Sequence, residues 1–116
     1  MSLHDRDGFT EFVSRLAGVT LHEQWEALVA KVGGKVFCLL GDASGDLVFK
    51  VGEIAFDGLT GLDGIEQAAY FAKRQWVSVE SDSALGDDDM LAYATRSHAL
   101  IAKGLTKKLR TELGIT

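Results

Sequence analysis

A chain of 116 residues has room for one domain built on one hydrophobic core. Its 47% hydrophobic and 25% charged residues exclude wholesale disorder, and its longest apolar run, Val36 to Leu40, falls far short of the roughly 18 residues a membrane-spanning helix needs. The net charge of −5 is unevenly spread: residues 1–90 hold 7 basic and 16 acidic side chains, residues 91–116 hold 5 basic and 1 acidic.

Taken in chain order, the first element is a helix. Phe9, Phe12, Val13 and Leu16 recur at the spacing of one helical stripe, with Asp5 or Asp7 to receive the free N–H groups and Gly18 to stop it. The period then changes to two. Leu28, Ala30 and Val32 alternate with Val29 and Lys31, Gly33-Gly34 supplies a turn that needs positive φ, and Lys35 to Leu40 returns apolar on both faces, as a central strand does. Leu47, Phe49 and Val51 share one face of a further strand, so this region predicts an antiparallel meander, with Thr20 to Trp25 as a weak edge strand.

A short helix is expected near residues 52–60, although its glycines weaken it. Ile65 to Tyr70 and Gln75 to Glu80 predict a second hairpin around Phe71-Ala-Lys-Arg74, with Trp76, Ser78 and Glu80 on one face and Val77 and Val79 on the other. Asp87-Asp88-Asp89 place three carboxylates at the positive end of a long final helix, where Leu85 could staple onto Met90. Leu91, Ala94, His98 and Ile101 line one face of this helix, and Lys103-Gly104 closes it. Thr106 caps one more turn or two, with Leu105, Leu109 and Leu113 stacked at i+4.

Chemistry-bearing motifs fail on inspection. Gly33-Gly34-Lys35 lacks the hydroxyl residue and the preceding glycine of a phosphate loop. Asp42, Ser44, Asp46 and Glu53 have the spacing of calcium ligands, but Leu47 stands where the loop needs glycine. His4, His22 and His98 fall in separate elements, and Cys38 lies in an apolar strand without a base, as a small buried hydrophobe does. Neither a catalytic set, a metal site nor a cofactor is expected. One cysteine allows no internal disulfide and the polar, acidic N-terminus is unlike a signal peptide, so a cytoplasmic protein without membrane contact is expected.

Several stretches resemble the MmcQ/YjbR family: Gly33-Gly-Lys-Val-Phe-Cys-Leu-Leu40, Leu47-Val-Phe-Lys-Val51, Ala69-Tyr-Phe-Ala-Lys-Arg-Gln-Trp-Val-Ser-Val79, Arg96-Ser-His-Ala-Leu100 and Leu105-Thr-Lys-Lys-Leu-Arg110. A weaker likeness is to the N-terminal domain of TfoX-type competence regulators. The resemblance implies one α+β domain, an antiparallel sheet (meander plus C-terminal hairpin) packed by N- and C-terminal helices, related in architecture to type III secretion chaperones. It brings no catalytic residues. It does bring a DNA-binding label, through a double-wing arrangement. Ala69 and Thr106 stand where the family often has proline, which loosens two turns.

Two functional readings follow. In the first, Tyr70, Phe71 and Trp76 form an apolar patch for a protein or small-ligand partner, with a homodimer among the forms this reading allows. In the second, Lys73, Arg74, Lys103, Lys107, Lys108 and Arg110 hold DNA phosphates while the aromatics stack on bases. The acidic body repels a polyanion, which favours the first.

Overall fold

The structure is a computed structural model and describes residues 2–115. Helix α1 (Arg6–Val13) leads into strands β1 (Val19–Gln24), β2 (Ala27–Val32), β3 (Lys35–Gly41) and β4 (Leu47–Lys50). Helix α2 (Glu53–Thr60), strands β5 (Ile65–Gln67) and β6 (Trp76–Val79), and helices α3 (Asp87–Lys103) and α4 (Lys107–Glu112) complete the chain. The strands form one six-stranded sheet in the order β1-β2-β3-β4-β6-β5, with every neighbouring pair antiparallel. The expected meander and second hairpin are therefore one sheet, joined where β6 pairs with β4.

Most of the helical cover lies on one face. Leu28, Ala30 and Val32 of β2, Leu47 and Phe49 of β4, and Val77 and Val79 of β6 meet Phe9 and Val13 of α1, Phe56 and Leu59 of α2, and Met90, Ala94 and Ala102 of α3 in a single buried cluster. Burying such aliphatic and aromatic side chains contributes roughly 1.5–3 kcal/mol each and is the main favourable term. The opposite face carries a smaller cluster of Ala27, Val29, Leu39, Val48, Ala68 and Trp76.

Strand β3 is bulged against β2. Ala30 pairs with Cys38 and Lys31 with Val36, so Phe37 has no partner in β2. Both Phe37 and Cys38 consequently sink into the helix-covered core. Burial pushes the Cys38 thiol up, far from the range in which it ionises.

Beyond the last β3–β4 pair, Cys38 with Phe49, the Phe37 carbonyl and the Lys50 N–H come next along the two strands without bonding each other. The hydroxyl of Ser97, fully buried on α3, sits between them. It donates to the Phe37 carbonyl at 2.5 Å and accepts from the Lys50 N–H at 2.9 Å. One serine thus satisfies two strands and fixes where α3 crosses the sheet. Its neighbour His98 stands edge-on to Phe37 and hydrogen-bonds the Ala17 carbonyl at 2.8 Å.

Several local expectations need correction. Helix α1 stops at Val13 rather than running to Leu16, and Asp5 is its N-cap through backbone conformation without a side-chain bond. The buried stripe of α3 runs through Met90, Ala94, Ser97, His98 and Ala102, so Ser97 belongs to it. Gly104 ends that helix in the right-handed region, with tight bonds to Ile101 and Ala102, and not in the left-handed one. Strand β5 ends at Gln67, three residues short of Tyr70. Thr106 does cap α4, accepting from the Leu109 N–H at 3.1 Å.

The C-terminal leucines lock two turns that only glycine fits. Gly33 (φ 59°) lies under Leu105, where an added Cβ would come within 2.7 Å of a methyl, and Gly18 (φ 72°) lies under Leu113 at 2.9 Å.

Replacing Ser97 with alanine strands two buried backbone groups and is expected to cost about 2–4 kcal/mol in urea unfolding. A loss below about 0.5 kcal/mol would mean that β3 and β4 simply close the gap themselves.

Candidate functional site

The opposite sheet face is covered mainly by the segment 68–75 between β5 and β6, with Ile101 of α3 packed at its margin. Beside it runs a groove of about 560 Å³ lined by Ala27, Leu39, Val48, Ala68 and Phe71, with Trp25 and Tyr70 at its rim. This volume falls within the range of about 300–1,000 Å³ common to ligand sites.

Both rim aromatics are held outward by unusual backbone. β1 and β2 are joined by a two-residue turn, Trp25-Glu26, with φ of 56° and 55°. That geometry ordinarily takes Asn-Gly, because a side chain in the left-handed region costs about 1–2 kcal/mol. Tyr70 has φ 69° and Arg74 φ 65° at the two sides of the other turn. Trp25 is 64% exposed and Tyr70 fully exposed, so neither side chain recovers this cost by burial.

Gln67 holds the Tyr70 segment in shape. Its amide nitrogen donates to the Ala68 carbonyl at 2.8 Å, and its amide oxygen accepts from the Arg74 N–H at 2.9 Å. Phe71 leans onto Trp76 with ring centroids 4.4 Å apart. Trp76 is itself buried and does not line the groove, so it supports Phe71 and is not a contact surface.

The groove has one charged residue in its lining. This is Asp46, and the Glu80 carboxyl is raised above the usual carboxylate range, first by the charge of Asp82, then by desolvation, then by Asp46 and Glu66. Glu80 is therefore close enough to feel the charges of Asp82, Asp46 and Glu66.

The expected cationic residues are dispersed. Arg74 bonds Asp57 at 2.9 Å and stacks over Phe56 at 5.7 Å, and the Asp57 carboxylate raises its guanidinium still further. Lys73 is exposed at the same turn. Lys103 lines a cleft with Lys50 and Arg96, whereas Lys107 and Arg110 line a separate hollow with Ile115, and Lys108 is exposed nearby on α4. The structure thus brings Tyr70 and Phe71 together, sets Trp76 beneath them, and distributes the six cations over different elements.

Trp25 is the rim residue that the sequence reading missed. Its signal was two strands separated by two residues, which demands a turn whose side chains point away from the sheet. Asp42 pairs with Arg6, and among the described residues no group of three His, Cys, Asp or Glu side chains is placed to hold a metal ion. No helix among them is long and apolar enough to cross a membrane.

Comparison with known proteins agrees with this architecture. A Deinococcus radiodurans protein with the DUF419 domain superposes with a TM-score of 0.84 at 24% identity, covering 95% of this chain and 88% of that one. A Pseudomonas syringae protein superposes with a TM-score of 0.69 at 18% identity, covering 83% of this chain and 97% of that one. At these identities the likeness is one of fold. No curated protein matches the chain. The YjbR family model matches residues 14–100, three-quarters of the sequence, and the chain belongs to the YjbR family.

Proposed function

We propose that this YjbR-family chain is a non-enzymatic binding module whose open sheet face takes an apolar, positively charged segment of a protein partner. The observation that carries this reading is the pair Trp25 and Tyr70, two large aromatics kept in solvent at positive φ on the rim of one groove. Strain retained without burial is a feature of positions kept for contact with something else. Tyrosine and tryptophan suit that use, since they offer large area at little cost in side-chain entropy.

Charge selects the partner. Asp46 in the groove, with Glu80 close enough to feel its charge, attracts lysine or arginine and repels nucleic acid. A second copy of this chain would present the same carboxylates, so the charge favours a different, cationic protein. Cys38 lies in the core with its thiol held protonated, and His4 and His98 are engaged with backbone carbonyls, which supports a role in binding and not in catalysis. The DNA-binding alternative asks for one cationic surface. Arg74 is tied to Asp57, and Lys103 lies apart from Lys107 and Arg110, which weighs against it.

Calorimetric titration with a short peptide of alternating leucine and lysine tests the proposal. Saturable micromolar binding is expected, at least about tenfold weaker for the leucine–glutamate counterpart and for the protein with Trp25→Ala and Tyr70→Ala together. Binding that ignores those substitutions contradicts the proposal. So does tighter binding of a DNA duplex of about 20 base pairs that Lys107→Glu and Lys108→Glu abolish.

Stability gives an independent check on Tyr70. Tyr70→Gly relieves positive φ and loses no buried area, so unfolding free energy should rise or stay within about 0.5 kcal/mol. A loss above about 1 kcal/mol would make Tyr70 a structural residue.

A further inference from the structure

A second concavity lies on the helix-covered side and shares no residue with the groove. It is a cleft of about 390 Å³ between the end of β4, the start of α2 and the outer side of α3. Val51, Ala55, Tyr93 and Leu100 give it apolar walls, and Leu100 is 41% exposed there. Lys50, Arg96 and Lys103 supply three cations, and no carboxylate lines the cleft. The nearest acid in sequence, Glu53 on the first turn of α2, is not part of the lining.

None of these three cations takes part in a salt bridge among the described residues, whose ion pairs use Arg6, Arg15 and Arg74. Arg96 rests over the Tyr93 ring at 5.4 Å, which holds its guanidinium at the cleft. Gly52, also in the lining, is the N-cap of α2. In a chain of net charge −5, three unpaired cations around one apolar hollow oppose the average field of the molecule.

We infer that this cleft binds a small soluble organic phosphate, a phosphate monoester on an apolar body. A monoester carries about −1.5 to −2 charges at neutral pH and three acceptor oxygens. That suits Lys50, Arg96 and Lys103 better than a single carboxylate, which would leave most of their charge uncompensated. The apolar body covers Leu100, Ala55 and the Tyr93 ring. Inorganic phosphate alone leaves those walls wet, so both halves of the ligand are needed. This reading stands apart from the peptide groove and depends on none of its residues.

Phenyl phosphate is the probe, followed by amide chemical shifts and calorimetry on the whole chain. Saturable binding with a Kd below about 1 mM is expected, with shifts centred on Gly52, Ala55 and Ala99. Inorganic phosphate and phenol should each bind at least about tenfold more weakly. Arg96→Glu and Lys103→Glu should each weaken phenyl phosphate by about tenfold or more, while Lys107→Glu, an equal change of charge outside the cleft, should leave it unaltered. Ala99→Trp fills the hollow without touching a cation and should remove binding. All four positions are solvent-exposed, and circular dichroism confirms folding of each variant. The inference fails if phenyl phosphate does not saturate at about 10 mM, if Lys107→Glu weakens it as much as Arg96→Glu, or if only phosphatidic acid vesicles bind.

Discussion

The Ser97 hydroxyl is the contact on which the arrangement of this molecule turns. Beyond the last β3–β4 pair two strands part, and their facing backbone groups would be left without partners. A single side chain from α3 enters the gap, donating to one strand and accepting from the other. An unpaired buried peptide group costs about 1–3 kcal/mol, so α3 can cross the sheet in this position and few others. The T-shaped contact of His98 with Phe37 and its bond to Ala17 hold the next residue of the helix in the same register.

Two surfaces of opposite character follow from that placement. With α3 seated over β3 and β4, the residues on its outer side, Tyr93, Arg96, Leu100 and Lys103, come beside Lys50 and form a cationic hollow with an apolar floor. The helices are then spent mostly on one face. The other face keeps an apolar strip with the segment 68–75 across it and Ile101 of α3 at its margin, and its exposed aromatics share a groove with Asp46. The opposed charges suit one surface to a cationic protein segment and the other to a small anion, and they act against exchange of the two ligands.

The order of elements was legible in the sequence because it rests on periodicity. The alternation of Leu28 to Val32, the apolar run Lys35 to Leu40, and the face shared by Leu47, Phe49 and Val51 each report burial directly, as does the glycine pair at the β2–β3 turn. What escaped depends on backbone detail that periodicity does not carry. Ser97 looks like any mid-helix serine until the gap between β3 and β4 requires a hydroxyl. Trp25 looks like the end of a polar strand until the two-residue turn sets its φ positive. Trp76 was read as a surface aromatic, yet it packs under Phe71, because the 68–75 segment folds back over the sheet. Among the cations, the sequence gives position along the chain but not the carboxylate that Arg74 meets from α2.

Amide hydrogen exchange at Lys50 in the unmodified protein tests the central contact most directly. Lys50 is the last residue of β4 and has no ladder bond to β3, so on strand position alone its amide should exchange like those of the neighbouring loops. Bonded to the Ser97 hydroxyl, it should instead share the protection of Val48 and Phe49 and open only with the sheet. Exchange at loop rates would show that the hydroxyl does not bridge the strands, and the placement of α3, with both surfaces that depend on it, would need another explanation.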